Sequence, residues 1–356
     1  MSNSMKFDEY ITCPGDTILD LLEANNMTQI DLASKLGITK KNVNEIIKGK
    51  APLTAKNALK LEYIFNIPAS FWNNLEKEYR ESLERKKDFD TIINEIPYLK
   101  SIPYNEMANR NWDFIEKTTS PIEKVKNLRK FFSCASLSFD TELYKKINFR
   151  KKDNISFNEK ALYCFLRYGE IESNKIKGPN FNILNLKKKI SEIRALANKP
   201  FFDNYDKIKE ILLSCGVFLI CEPYLSSTYL NGATYKPNSK RAIIMISTKG
   251  KKDDIVWFTL FHEIAHLLKH SKKEMFIDIN TFEKEQKELE ANTFAKNILI
   301  NEKKYQAFIK SNSSYNKENI IKFAKENNVL PGIVVGRLQN DKVISWNEFN
   351  DLIIKI

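Results

Sequence analysis

The stretch that most limits how this chain can fold is DDIVWFTLFHEIAHLLKH, residues 253–270. Asp253 and Asp254 stand at its positive end. Ile255, Phe258, Leu260, Phe261, Ile264, Ala265, Leu267 and Leu268 make it apolar nearly all round, the pattern of a helix buried on every side. All three histidines of the 356-residue chain lie here: His262, His266 and His270. His262 and His266 share a face one turn apart, the separation at which two imidazoles can ligate one tetrahedral ion. Glu263 sits about 100° around the helix, where its carboxylate reaches a water beside the ion rather than the ion itself. That is the mechanical content of H-E-x-x-H spacing. Without partners, each of these polar groups would cost on the order of 1 to 3 kcal/mol in such a helix, and a charge more. A metal relieves that cost; the competing arrangement is a hydrogen-bonded pair of core histidines.

A catalytic zinc needs a third protein ligand and an open position. His270 lies ~12 Å along the axis from His262 and cannot share its ion. The metzincin extension is absent, because Lys269 and Lys272 occupy the positions of its glycine and histidine. The third ligand is therefore expected to be a carboxylate on a second helix. EKEQKELEANTFAKNILI (283–300) is such a helix, with Leu289, Phe294, Ala295, Ile298 and Leu299 for packing and Glu288 and Glu290 as candidate ligands. Upstream, YDKIKEILLSCG reads as a helix, GVFLICEP as a strand, and TYLNGATY with RAIIMIS as a strand pair joined over KPNSK. A small sheet before two active-site helices makes an α+β domain. The tail NKENIIKFAKENNVLPGIVVGRLQ imitates a second helix-turn-helix and is read as a packing or substrate-presenting helix pair.

The N-terminal part follows another pattern. MTQIDLASKLGITKKNVNEIIKGK (27–50) reads as two short helices with a tight corner. Thr28 caps the first, whose inward face is Ile30, Leu32, Ala33 and Leu36; Gly37 ends it; Thr39 caps the second, which runs to Ile47 and stops at Gly49. In a helix-turn-helix the second helix enters the major groove. Here it offers Thr39, Lys40, Lys41, Asn42, Asn44 and Lys48, including amides able to bond adenine edges. Between Lys35 and Lys60 seven lysines face one acid, Glu45, a basic stripe suited to phosphates. Helices DTILDLLEANN and LTAKNALKLEYIF, the latter capped by Thr54, flank the pair. The alternative is a small bundle used for protein contacts.

Two resemblances sharpen these readings. Residues 15–79, with the GK-x-x-(I/L)T turn, the ALKLE helix and FWNNLEKEY, resemble the XRE-type helix-turn-helix of HigA-like antitoxin repressors. That resemblance implies DNA binding as a homodimer at palindromic operators. Residues 200–340 resemble the ImmA/IrrE metallopeptidases, a gluzincin-like fold, through WFTLFHEIAHLLKH, ELEANTFAKNILI, YLNGATY and RAIIMIS. This resemblance implies Zn²⁺ held by His262, His266 and Glu288, with Asn292 as the partner of Glu288 and Glu290 as the fallback ligand. It also implies Glu263 as the proton-transferring base. Mn²⁺ or Fe²⁺ would also suit a two-histidine, one-carboxylate set. Tyr229, Tyr235 and His270 are the candidate oxyanion donors.

The expected fold is mainly α with a C-terminal α+β domain. A helix-turn-helix bundle spans 1–85, a helical connector 86–200 and the metallopeptidase domain 201–356. In the connector, SPIEKVKNLRKFFSCAS, NEKALYCFLRYGEIESNKI and NLKKKISEIRALAN carry helical apolar spacing, with breaks at Ser120-Pro121 and Lys177-Gly178-Pro179. The net charge of +12 lies mostly in residues 91–200, so it does not by itself locate a nucleic-acid site. Five scattered cysteines without a CxxC pair argue against disulfides or thiolate metal sites. No apolar run approaches a membrane span and no secretory signal is legible, which points to the cytoplasm. The functional expectation is an operator-binding regulator whose peptidase domain cleaves a repressor or antitoxin. The competing expectation is a non-proteolytic repressor or antitoxin of a toxin-antitoxin or mobile-element system, in which the zinc domain is a sensor or dimer module.

Overall fold

In the computed structural model the described residues are 12–137, 158–226, 228, 230–248, 252–269, 281–311 and 315–356, without the side chains of 281–285. The chain divides into two compact units, Met1–Pro97 and Tyr98–Ile356, and residues 86–200 are shared between them.

The first unit is all helical: α1 (Pro14–Ala24), α2 (Gln29–Leu36), α3 (Lys40–Ile47), α4 (Ala55–Phe65) and the long α5 (Ala69–Glu95). Local chemistry sets these boundaries. Thr28 and Asp31 form a reciprocal capping box at the start of α2, and Gly37 closes it in the left-handed region at φ 65°. Thr39 accepts from Asn42 N at 3.2 Å and Thr54 from Asn57 N at 3.3 Å, so each following helix starts on a side-chain cap. Lys60 Nζ donates to Leu36 O at the end of α2, which removes one lysine from the basic stripe. The core joins Leu32, Ala33 and Leu36 to Val43, Ile46, Ala58, Leu61 and Trp72. Ile30 departs from expectation: it is 58% exposed, because no helix among the described residues of this unit covers that edge of α2's apolar arc.

The second unit is mixed. Helices α6 (Tyr104–Asn109), α7 (Pro121–Phe132), α8 (Glu159–Asn174), α9 (Ile183–Ala195) and α10 (Tyr205–Leu213) lead into β1 (Val217–Cys221), β2 (Gly232–Asn238) and β3 (Arg241–Ile246). There follow α11 (Asp253–Lys269), α12 (Thr281–Leu299), α13 (Glu302–Ser311), α14 (Lys317–Glu326) and α15 (Pro331–Asn340). The sheet order is β1-β3-β2, with β1 parallel and β2 antiparallel to the central β3. The expected strand pair forms, but β2 starts at Gly232 and runs through Pro237, which an edge strand tolerates because its N–H side need not pair. Fully buried Trp257, Leu260, Phe261 and Ile264 seat α11 in the core with Leu219, Ile244 and Ala295. The tail helices α14 and α15 bury Ile320, Phe323, Ala324, Val334 and Leu338 in the same core, as expected of a packing pair. No helix among the described residues is long and apolar enough to cross a membrane.

Candidate metal centre and nucleic-acid interface

The candidate metal centre is built on α11 and α12. Asp253 anchors the start of α11: its Oδ1 accepts from Phe201 N at 2.7 Å, and Trp257 Nε1 donates to Lys199 O at 3.2 Å. The far end of α12 is held by two guanidinium groups. Arg194 donates to Ile298 O and Leu299 O, two of the carbonyls the helix leaves unpaired at its end, and Arg337 donates to Lys296 O and Ile300 O. With both helices fixed, Glu288 Oε2 lies 3.3 Å from His262 Nε2 and Oε1 lies 3.5 Å from His266 Nε2. The two imidazole Nε2 atoms are 3.0 Å apart. All three donor atoms fall within 4.8 Å of one another. Two imidazole nitrogens and one carboxylate are the donor set of a borderline-soft divalent cation such as zinc, so the residues fit the ion.

His262 Nδ1 faces Asn292 Oδ1 at 3.1 Å. The amide oxygen can only accept, so it holds the proton on Nδ1 and leaves the Nε2 lone pair directed at the donor cluster. Asn292 was expected to serve Glu288; the structure engages it with His262 instead. Burial disfavours the imidazolium of His262, but Glu288, Glu263 and Asn292 outweigh it and hold the pKa above the ordinary value.

Glu263 is buried beside the cluster. Desolvation pushes its carboxyl up to about 7 against the opposing effect of His262. Its Oε2 is buried with no hydrogen-bond partner among the described residues. Strand β2 packs directly on it: Thr234 Oγ1 donates to Glu263 O at 3.2 Å, and a methyl placed on Gly232 would lie 2.7 Å from Glu263 Oε1. Gly232 had no role in the sequence reading, although it falls within the YLNGATY segment.

The remaining candidates separate. Glu290 accepts from Gln286 Nε2 at 3.3 Å and is absent from the donor cluster. Leu289, expected to pack, is 60% exposed. Tyr235 is no oxyanion donor: alternation along β2 turns it away from the α11 face that Thr234 meets, and its hydroxyl donates to Leu166 O on α8. Tyr229 and His270 lie outside the described residues. A cavity of about 540 Å³ runs along α11 from the donor cluster past Phe258 and Thr259 to Asp254, and Gly336, which packs against Asp254, and Trp346 also line it.

In the first unit, Thr39, Lys40, Lys41, Asn42 and Lys48 are exposed along α3, and Asn44 is half-buried. Thr39 Oγ1 is used as the cap, and Lys41 lies 4.0 Å from Glu45, a weak exposed pair.

Comparison with known proteins agrees with this division. Residues 219–339 match the IrrE N-terminal-like domain of peptidase family M78, and residues 18–72 match the helix-turn-helix family. The chain thus joins a segment that matches the helix-turn-helix family to one that matches the IrrE N-terminal-like domain of peptidase family M78. A putative HTH-type transcriptional regulatory protein of Pyrococcus abyssi is 29% identical over 141 residues, 34% of this chain and 43% of that protein. The chain thus spans less than half the length of this curated relative. Among solved structures, an addiction module antidote protein of the HigA family from Coxiella burnetii is 30% identical over 24% of this chain and 96% of its own, with a TM-score of 0.23. The Pseudomonas aeruginosa antitoxin HigA, solved with its higBA promoter, is 25% identical over 24% of this chain and 95% of its own, with a TM-score of 0.23.

Proposed function

We propose that this protein is a cytoplasmic transcriptional regulator whose IrrE-like domain is a zinc-dependent endopeptidase acting on a repressor or antitoxin protein. The observation that carries the reading is the convergence of His262, His266 and Glu288 within 4.8 Å beside the buried carboxylate of Glu263. A metal held only for structure commonly takes four protein ligands and has no need of a base beside it, so this arrangement favours the enzyme over a sensor or dimer module.

His262, His266 and Glu288 would hold the ion. Zinc, when bound, supplies a Lewis acid that eases the ionisation of water and polarises a peptide carbonyl. Glu263, whose carboxylate lies beside the donor cluster, would take the proton from the attacking water and return it to the leaving amine. Gly232 leaves that carboxylate its space, and β2, an edge strand of the sheet among the described residues, lies beside it where an extended peptide could add.

The helix-turn-helix would direct the protein to DNA. Lys40, Lys41 and Lys48 meet phosphates, Asn42 and Asn44 read base edges, and Thr39 fixes the start of the reading helix. A homodimer on a palindromic operator is the matching arrangement.

The test is zinc content of the purified full-length chain together with cleavage of repressors encoded near its gene. One zinc per chain, lost in Glu288→Ala but kept in Glu290→Ala and Glu263→Gln, with cleavage by the wild type and none by Glu263→Gln, is the expected result. A wild type that binds zinc and never hydrolyses these proteins would favour the sensor reading.

A further inference from the structure

Asp254, Phe258, His262 and His266 follow one another at four-residue steps, so they form a single ridge along α11, and all four line the same cavity. The cavity therefore continues from the donor cluster to the start of the helix. Asp254 stands eight residues from His262, ~12 Å at 1.5 Å per residue. An extended peptide rises about 3.3 Å per residue, so that span corresponds to three or four residues of substrate.

Asp254 lines this cavity at a distance from the donor cluster. Its Oδ1 is buried and has no hydrogen-bond partner among the described residues. The neighbouring cation, Lys252, donates to Asn350 Oδ1 at 3.2 Å and makes no ion pair with Asp254. Space is kept for the carboxylate: a methyl on Gly336 of α15 would lie 2.2 Å from Asp254 Oδ2. Trp346, 66% exposed, lines the same end of the cavity, an aromatic surface on which an aliphatic stem and its cationic head can lie. Burial pushes the Asp254 carboxyl up to about 6, against the opposing attraction of Lys252 and of the backbone N–H groups of Ile255 and Asp254.

We propose that Asp254 is the specificity residue of a subsite for a basic side chain, lysine or arginine, carried by the protein substrate about three or four residues from the scissile bond. The proposal rests on the peptidase reading and names the chemistry of its substrate.

The test uses the full-length, zinc-loaded Glu263→Gln chain, which would hold a peptide without cutting it. The probes are fluorescein-labelled heptapeptide pools, random except for a central lysine, ε-acetyl-lysine or norleucine. Acetylation keeps the stem and removes the charge, so the comparison needs no change in the cleft. The lysine pool is expected to bind about tenfold tighter than the acetylated pool, and the ratio is expected to fall close to one when Asp254→Asn is added. Equal affinities in the unmodified cleft, binding by no pool, or a lysine preference that survives Asp254→Asn would each overturn the subsite. Cleavage of the lysine pool by wild type is scored separately. Lysine preference without cleavage counts against the peptidase reading and leaves the subsite standing; cleavage without basic preference does the reverse.

Discussion

Replacing Gly232 by alanine tests whether β2 positions the proton-transferring carboxylate. The new methyl would lie 2.6 Å from Thr259 Cγ2, 2.7 Å from Glu263 Oε1 and 3.0 Å from Glu263 Cγ. Restoring a 3.4 Å contact to Oε1 requires a displacement of 3.4 − 2.7, about 0.7 Å. Thr259 cannot easily yield, because its Oγ1 is bonded to Ile255 O at 2.7 Å within α11. The end of the Glu263 side chain is freer, so the carboxylate moves. A displacement approaching 1 Å in a reacting group costs on the order of 100-fold in rate. Overpacking costs about 1 to 3 kcal/mol of stability. The donor atoms of His262, His266 and Glu288 are not among the contacts, so metal affinity should be preserved. The assay combines elemental analysis, thermal unfolding and single-turnover cleavage of a susceptible repressor. Gly232→Ala is expected to keep one zinc per chain and lose about two orders of magnitude in cleavage. Wild-type cleavage, or loss of zinc with the helices intact, would refute the reasoning.

Other expectations follow from the same geometry. Asp253 is buried, and its carboxyl is pushed up to about 6 by desolvation. The folded state therefore holds its proton more tightly than the unfolded chain, and the stability from this group is greatest below about pH 4, falls as pH rises to about 6 and is level above. The rise of about two units corresponds to ~3 kcal/mol, so Asp253→Asn should flatten this part of a urea-stability profile; a wild-type slope unchanged by the substitution would contradict it. In the first unit, Lys40→Ala, Lys41→Ala and Lys48→Ala should each weaken binding to promoter DNA and lower the salt slope by about 1, whereas Asn44→Ala should relax sequence discrimination, as read by fluorescence anisotropy. Thr39→Ala removes the cap bond to Asn42 N and should cost about 1 kcal/mol in calorimetric stability of the helix-turn-helix; no change would mean the cap is dispensable.

Much of this was legible from short-range pattern. Four-residue spacing places His262 and His266 together on any helix, the apolar surround requires that helix to be buried, and Thr28, Thr39, Thr54 and Gly37 mark boundaries that the structure keeps. These features depend on bonds within a few residues, which the local order of side chains determines. Ile30 and Leu289 show where periodicity stops: it tells which face a residue occupies, but not whether a neighbour covers that face.

Tertiary structure decided the rest of the centre. Glu288 and Glu290 lie about 200° apart around α12, so only one can face α11. Apolar residues are spread around α12 without a clear stripe, leaving its inward face unspecified until α11, Arg194 and Arg337 fix its rotation. The same holds for Asn292 turning to His262 rather than Glu288, for Tyr235 bonding α8, and for Gly232 and Asp254, whose roles exist only where β2 and α15 press against α11. The sequence by itself determined that a histidine-glutamate-histidine helix would be buried beside a carboxylate-bearing helix. Which carboxylate completes the donor set, and which backbone holds Glu263 in place, was set by long-range packing, because those contacts join segments that carry no local signal of one another.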